Sequence, residues 1–184
     1  MNQRQMIVGA SVLLAMLAAI PTIETAAFAE ASHLAVPQSI RFEHAVIIER
    51  LTKEAAKSGV AAAIAQKALV FIKGHFAKEE EFVFPPLGLL DQITAGESPS
   101  DSVRNVAIEM AERTRASKNA LRDDHIQITS MMNDLIQAAT RADEPDLVAF
   151  AGNVASHSLA EVEVLEPTTL MIADYLRSKS APGQ

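Results

Sequence analysis

The chain has 184 residues, of which 49% are hydrophobic and 21% charged, enough apolar material for one domain with its own core. Aromatic residues make up only 4%, and alanine and leucine are abundant, so the composition favours helices over sheet. The formal net charge of -7 argues against nucleic acid as a non-specific partner, and the lack of cysteine excludes disulfides, thiolate metal sites and cysteine nucleophiles.

The first 29 residues have the layout of a secretory signal peptide. A basic residue precedes a mostly apolar run over residues 6–20, and Ala27-Phe28-Ala29 forms a small-x-small cleavage pattern. An uncleaved anchor is the alternative, but this run is short for a membrane span. We predict a signal peptide over 1–29 and a mature domain over 30–184 that is secreted or periplasmic, with no stable membrane span after cleavage.

The remaining chain predicts four long helices. Their starts and stops are marked by Pro37, Ser58-Gly59, Pro85-Pro86 and Asp143-Glu144-Pro145. The predicted helices span about 39–57, 60–84, 101–139 and 146–179, with a linker over 86–100 and a kink or restart at Pro167. Short turns join the first helix to the second and the third to the fourth. We therefore expect an all-α protein, an up-down-up-down four-helix bundle.

One motif occurs twice along the chain. His75-x-x-x-Glu79 and His157-x-x-x-Glu161 both continue as Glu-x-x-x-Pro after one further residue, and a single histidine lies about thirty residues before each copy. Residues four apart lie on one face of a helix, so each copy presents an imidazole and a carboxylate together. The resulting six-ligand set is His44, His75, Glu79, His125, His157 and Glu161.

The four histidines fall at one level of the predicted bundle. They lie about 21 to 24 Å from the two interhelical turns, at roughly 1.5 Å per residue. A lone histidine on an apolar stripe is more often an ordinary core residue, but six polar groups in an alanine and leucine interior cost several kcal/mol each when unpaired. No lysine or arginine lies on those stripes, so a bound cation is the natural partner.

Nitrogen and carboxylate ligands without sulfur suit iron, manganese or zinc. Two related half-sets favour a dinuclear centre in which Glu79 and Glu161 can each bridge. With an oxide or hydroxide bridge, two coordination positions remain open for a small ligand.

At these residues the chain resembles the hemerythrin-like family, the HHE cation-binding domains, whose pattern is His, His-x-x-x-Glu, His, His-x-x-x-Glu on four successive helices. The resemblance covers about residues 39–167. It implies a four-helix bundle with a non-haem di-iron site, two iron ions held by the six residues named above. The chain departs from the oxygen-carrying hemerythrins in having four bundle histidines rather than five, and a glutamate where they use aspartate.

Two classes of function follow. The first is an iron protein that binds or reacts with oxygen, peroxide or nitric oxide, or handles iron; whether it is an enzyme stays open. The alternative is an extracytoplasmic helical interaction or structural module whose site is zinc-filled, structural or empty.

Two further expectations concern the surroundings of the site. Glu81 and Glu163 repeat in both halves, but their positions point away from the histidines, which predicts solvated charges or outer partners. The linker leucines and residues 170–176 should form an apolar cap over an extended end of the bundle. We expect the small ligand to reach the metals through this capped end.

Overall fold

A computed structural model describes residues 34–180, and this part of the chain is helical and contains no strand. The predicted signal peptide lies outside the described residues. The α-helices are α1 (Gln38–Ala55), α2 (Val60–Lys78), α3 (Leu90–Thr94), α4 (Asp101–Arg141), α5 (Pro145–Ala160) and α6 (Glu166–Ser180). A first π segment (Glu79–Val83) follows α2, a second π segment (Glu161–Leu165) joins α5 to α6, and a 3-10 turn covers Pro85–Leu89.

The predicted helix boundaries have local causes. Gly59, with a φ of 103°, takes the left-handed conformation that separates α1 from α2. The Ser100 side chain accepts a hydrogen bond from the Val103 backbone N–H at 3.3 Å and so caps α4. Pro145 starts α5, where its missing N–H costs nothing.

Both π segments begin at the glutamate of a repeated motif, which the sequence analysis did not predict. In the first, the Phe84 backbone N–H donates to the Glu79 carbonyl, five residues back, at 2.9 Å. In the second, the Glu166 backbone N–H donates to the Glu161 carbonyl in the same way. Such single π turns shift the side chains that follow them around the helix, and they are frequent at functional sites.

The first π segment is supported from outside. Pro85-Pro86 provide no backbone N–H, so carbonyls at the end of this helix lose donors. The Thr114 hydroxyl donates between the Met110 carbonyl of its own helix, at 3.0 Å, and the Phe82 carbonyl, at 3.3 Å. The Thr169 hydroxyl donates to the Val83 carbonyl at 2.8 Å. Side chains from α4 and α6 therefore fix the end of the helix that carries Glu79.

The helices pack in the pairs that the short turns imply. α1 packs against α2, and α4 packs against α5. The 41-residue α4 also contacts α2 and α6, which ties the two pairs together.

Two apolar clusters fill the interior, and the site residues lie between them along the helices. One cluster contains Leu34, Val36, Ile40, Phe82, Val83, Phe84, Leu87, Leu89, Val103, Ala107, Leu121, Ile172 and Leu176. The other contains Ile47, Leu51, Ala65, Ala68, Ile72, Phe76, Ile128, Met132, Leu135, Ala139, Leu147, Ala151 and Val154. The site is therefore a polar layer shielded from water along the helix axes.

The first cluster includes much of the predicted cap. Leu87 and Leu89 are buried together with Ile172 and Leu176, but Leu90 is 37% exposed. The linker thus anchors through two of its three expected leucines, because its helical turns direct the third toward solvent.

One stretch, Val60–Val83, is long and apolar enough by length and composition to cross a membrane. No membrane span was predicted over these residues from the sequence. A single helix of this kind is a weak indication, because the core helix of a water-soluble protein meets the same criterion. Here the stretch carries the buried His75 and Glu79.

Candidate metal centre

All six predicted residues meet in the polar layer. His44, His75, His125 and both glutamates are buried, and the His157 side chain is 11% exposed. The donor atoms form two groups, each with its members within 4.8 Å of one another: His75, Glu79, His125 and Glu161, and His44, His157 and Glu161. These buried groups could hold a metal ion.

The spacing of four residues brings the histidine and the glutamate of each motif close together, as the sequence predicts. His75 Nε2 lies 3.0 Å from a Glu79 carboxylate oxygen, and His157 Nε2 lies 2.9 Å from a Glu161 oxygen. In each pair the residues are four apart along the helix, so one backbone segment fixes both donors.

Each glutamate also faces histidines from the other half of the chain. His44 Nε2 lies 3.2 Å from a Glu161 oxygen and 3.7 Å from a Glu79 oxygen. His125 Nε2 lies 3.7 Å from a Glu79 oxygen, and its Nδ1 lies 3.9 Å from a Glu161 oxygen. Both carboxylates therefore occupy the central position that a bridging ligand needs.

Several donor atoms at this centre have no hydrogen-bond partner among residues 34–180. They are His75 Nε2, both Glu79 oxygens, His157 Nε2 and one Glu161 oxygen. His75 Nε2 and the Glu79 oxygen are close, yet they are not aligned as donor and acceptor. Buried polar atoms without partners are costly. Donor atoms that point toward a common position, and not toward each other, could bind one cation at that position.

The outer nitrogen of each of the four site histidines has a partner, and none of these pairs was predicted from the sequence. The Nδ1 contacts are His44 to Glu80 at 2.7 Å, His75 to Asp124 at 3.3 Å, His125 to Ser158 at 2.9 Å, and His157 to Glu43 at 3.0 Å. An ionised carboxylate only accepts, so in three of the four pairs Nδ1 carries the proton. Nε2 then faces the centre and is the nitrogen that could bind a metal ion.

Two of the outer partners repeat with the motif. Glu43 and Asp124 each precede a single histidine, and they are related by the same 81 residues that separate His44 from His125. Each reaches across to the motif histidine of the other half. An acidic residue before both single histidines was the available signal.

Asp124 also accepts a hydrogen bond from Lys78 at 2.8 Å. Burial raises the pKa of Asp124, but the hydrogen bonds from Lys78 and His75 outweigh burial and lower it. Asp124 therefore stays ionised as an acceptor for His75.

The surroundings shift the pKa values of the two central glutamates in opposite directions. Burial, and then the charge of Glu161, raise the pKa of Glu79 well above its usual value. Burial also opposes ionisation of Glu161, but His157 and His44 beside it lower its pKa to about 2. A cation between them would remove this conflict, because it favours the ionised form of both.

A third carboxylate reaches the layer. A Glu166 oxygen lies 2.9 Å from His125 Nε2, and Glu166 is only 7% exposed. The sequence spacing did not predict Glu166 as a site residue. In an unbroken α-helix, a residue five positions after Glu161 points about 140° away from it. The second π segment brings it back toward the centre.

Glu81 and Glu163 point away from the centre, as expected. Both are exposed, and Glu81 accepts a hydrogen bond from Arg113 at 2.8 Å. They are surface charges.

Two cavities border the layer from the sides. One of about 450 Å³ lies between α1 and α5 and has Phe42, Glu43 and His157 in its wall. Another of about 500 Å³ lies between α4 and α5 and has His125 and Ser158 in its wall. The two cavities thus reach His157 and His125 from the sides, whereas the expected route through the cap crosses a cluster of buried side chains.

Comparisons with known proteins give no match to this chain, whether with protein-family models, with curated protein sequences or with solved structures.

Proposed function

We propose that the protein holds two iron ions in a hemerythrin-like four-helix bundle and uses them to bind or react with a small ligand such as oxygen, peroxide or nitric oxide. The observation that carries this proposal is the convergence of buried imidazole and carboxylate atoms that lack hydrogen-bond partners among residues 34–180. The bundle would consist of α1, α2, α4 and the α5–α6 helix.

The donor groups divide naturally between two ions. His44 and His157 would hold one ion and His75 and His125 the other, with Glu79 and Glu161 shared between them. Nitrogen and carboxylate donors suit iron, and they also accept manganese or zinc. Bound iron would supply reversible ligand binding or redox chemistry at this position.

The chain's own residues would control that chemistry in three ways. The outer carboxylates orient the imidazoles and fix their protonation, as outer partners of metal ligands generally do. The two apolar clusters exclude water along the helix axes. The cavity beside His157, the most exposed of the four histidines, offers the small ligand a path.

The setting belongs to the same proposal. The signal-peptide layout of residues 1–29 supports a secreted or periplasmic protein, and the net charge of -7 argues against nucleic acid as a partner. Isolation of the mature chain from a secreting host, with its N-terminus sequenced, tests this part.

The test of the metal proposal is elemental analysis of protein purified without chelators, with oxidation state followed by Mössbauer spectroscopy. We expect about two ions per chain, and clear loss of metal in His75→Ala and His157→Ala. The matched control is Lys73→Ala, an exposed residue on the helix of His75. Lys78 is unsuitable because it contacts Asp124. A metal-free wild type would contradict the proposal, and zinc alone would favour the structural alternative.

A further inference from the structure

We propose that Glu166 is a seventh protein ligand, specific to the ion held by His75 and His125, so that the external ligand binds at the ion held by His44 and His157. This inference rests on the proposed function and adds to it the location of the open coordination position.

The Glu166 side chain faces the polar layer. The second π segment ends with the Glu166 N–H bonded to the Glu161 carbonyl, which returns residue 166 to the inward face of its helix. Its carboxylate is buried against His125, and α6 begins at this residue. A buried carboxylate in a polar layer that already holds two others needs positive charge nearby.

The distance between the Glu166 carboxylate and His125 Nε2 suits two ligands of one ion. Two donors that bind one ion at about 2.1 Å and at a right angle lie about 3 Å apart. His125 Nε2 and the Glu166 oxygen are 2.9 Å apart, close to the separations within the His75–Glu79 and His157–Glu161 pairs. The outer nitrogen of His125 is already engaged by Ser158, so Nε2 is the nitrogen available for the centre.

The other half of the chain has no carboxylate at the position of Glu166. Phe84 occupies the position that corresponds to Glu166, 82 residues earlier and also directly after a π segment. The Phe84 ring is fully buried and lies 6.2 Å from the His44 ring, measured between centroids. Phenylalanine has no donor atom. The ion near His44 therefore lacks the ligand that Glu166 supplies near His125.

These contacts place the open position on one side of the centre. The donor group of His44 and His157 contains one carboxylate, Glu161. The donor group of His75 and His125 contains two, Glu79 and Glu161, and Glu166 would be a third. Each side borders a cavity, at His157 between α1 and α5 and at His125 between α4 and α5, so the smaller donor set alone selects the side of His44 and His157. A small anion or gas should bind there.

The experiment titrates azide into the iron-loaded full chain and follows the charge-transfer absorption, with metal content measured on the same samples. We compare wild type with Glu166→Ala and Glu166→Gln, and with Glu163→Gln as a matched control, an exposed glutamate three residues earlier. Thermal unfolding of each variant verifies that it folds.

We expect wild type and Glu163→Gln to bind about one azide per chain, and Glu166→Ala to bind about two because a second position opens. Cobalt-substituted Glu166→Ala should show stronger visible absorption, a sign of fewer ligands, and added acetate should restore the wild-type spectrum. Glu166→Gln keeps the size of the side chain but loses its charge, so its cobalt absorption should lie between that of wild type and that of Glu166→Ala.

Identical azide stoichiometry and identical cobalt spectra in wild type and both Glu166 variants, with metal content intact, would overturn the inference and leave the metal proposal standing. In that case the Glu166 contact is only a hydrogen bond to His125. Absence of metal from the wild type would overturn both.

Discussion

The two halves of the chain carry the same donors in different surroundings. Each half provides a single histidine and a His-x-x-x-Glu motif that ends in a π segment. Around His44 the neighbours are the stacked ring of Phe76, at 3.6 Å between centroids, and the half-exposed Glu80. In the second half, Ser158 and Val162 occupy the positions that correspond to Phe76 and Glu80.

The comparison shows which features the donor geometry requires and which are free to differ. The spacing of four between histidine and glutamate is shared because it sets the donors on one face. The acids at 43 and 124 are shared because each orients a motif histidine. The positions 76/158 and 84/166 differ: phenylalanine rings lie beside His44, whereas a hydroxyl and a carboxylate contact His125. The positions 80/162 differ in the opposite sense, because Glu80 contacts His44 and the other half has Val162.

The largest expected effect comes from a residue that serves both halves. Glu161 lies close to His157, His44 and His125. Glu161→Ala should therefore lower the binding affinity for both ions, and by more than the roughly 10 to 100-fold that is typical of losing an outer partner. Competition against a chelator of known affinity measures this. If Glu161→Ala loses only one ion, the glutamate is not shared between the halves.

The next largest effect is on the free energy of unfolding, and it compares corresponding residues beside the single histidine of each half. Phe76→Ala removes a ring that is 3% exposed and should lower the free energy of unfolding by about 3 to 5 kcal/mol. Ser158→Ala removes one buried hydrogen bond and should cost about 1 to 3 kcal/mol. Urea denaturation of chelator-treated samples gives both values. Equal costs would mean that the two environments are energetically alike.

Metal removal should also distinguish the halves. An ion present at about 100 times its dissociation constant adds about 2.7 kcal/mol to stability, roughly 5 to 10 °C in melting temperature for a chain of this size. Because the side near His125 has more carboxylates, a chelator titration should release the ion near His44 first. Calorimetry along the titration should show two successive drops in melting temperature; a melting temperature indifferent to chelator contradicts this expectation.

The smallest effect concerns the outer acids. Asp124→Asn should weaken metal binding by about 10 to 100-fold. Glu43→Gln should have less effect because the Glu43 side chain is 59% exposed, against 18% for Asp124. Asp123→Asn, an exposed neighbour, is the control. Isothermal titration with ferrous ion under anaerobic conditions measures all three, and an effect of Asp123→Asn as large as that of Asp124→Asn would remove the role given to Asp124.

Much of this arrangement could be predicted from the sequence because it depends on helical repeats. The spacing within His75-x-x-x-Glu79 and its counterpart determines which donors share a face, and Gly59 and Ser100 mark helix ends by local chemistry. Distances counted along the helices placed the single histidines at the same level as the motifs.

The rest depends on contacts that no local pattern encodes. The partners of the histidine Nδ1 atoms come mostly from other helices. The π segments change the face on which Glu166 lies, and periodicity at 3.6 residues per turn cannot anticipate that change. The cavity between α1 and α5 arises where these two helices do not close against each other around Phe42 and Phe150.

The most direct measurement is anomalous diffraction at the iron edge from crystals of iron-loaded protein. The account predicts two peaks in the polar layer, one about 2.0 to 2.2 Å from the Nε2 atoms of His44 and His157 and the other at the same distance from those of His75 and His125. A layer without anomalous density in crystals grown with excess iron would contradict the account.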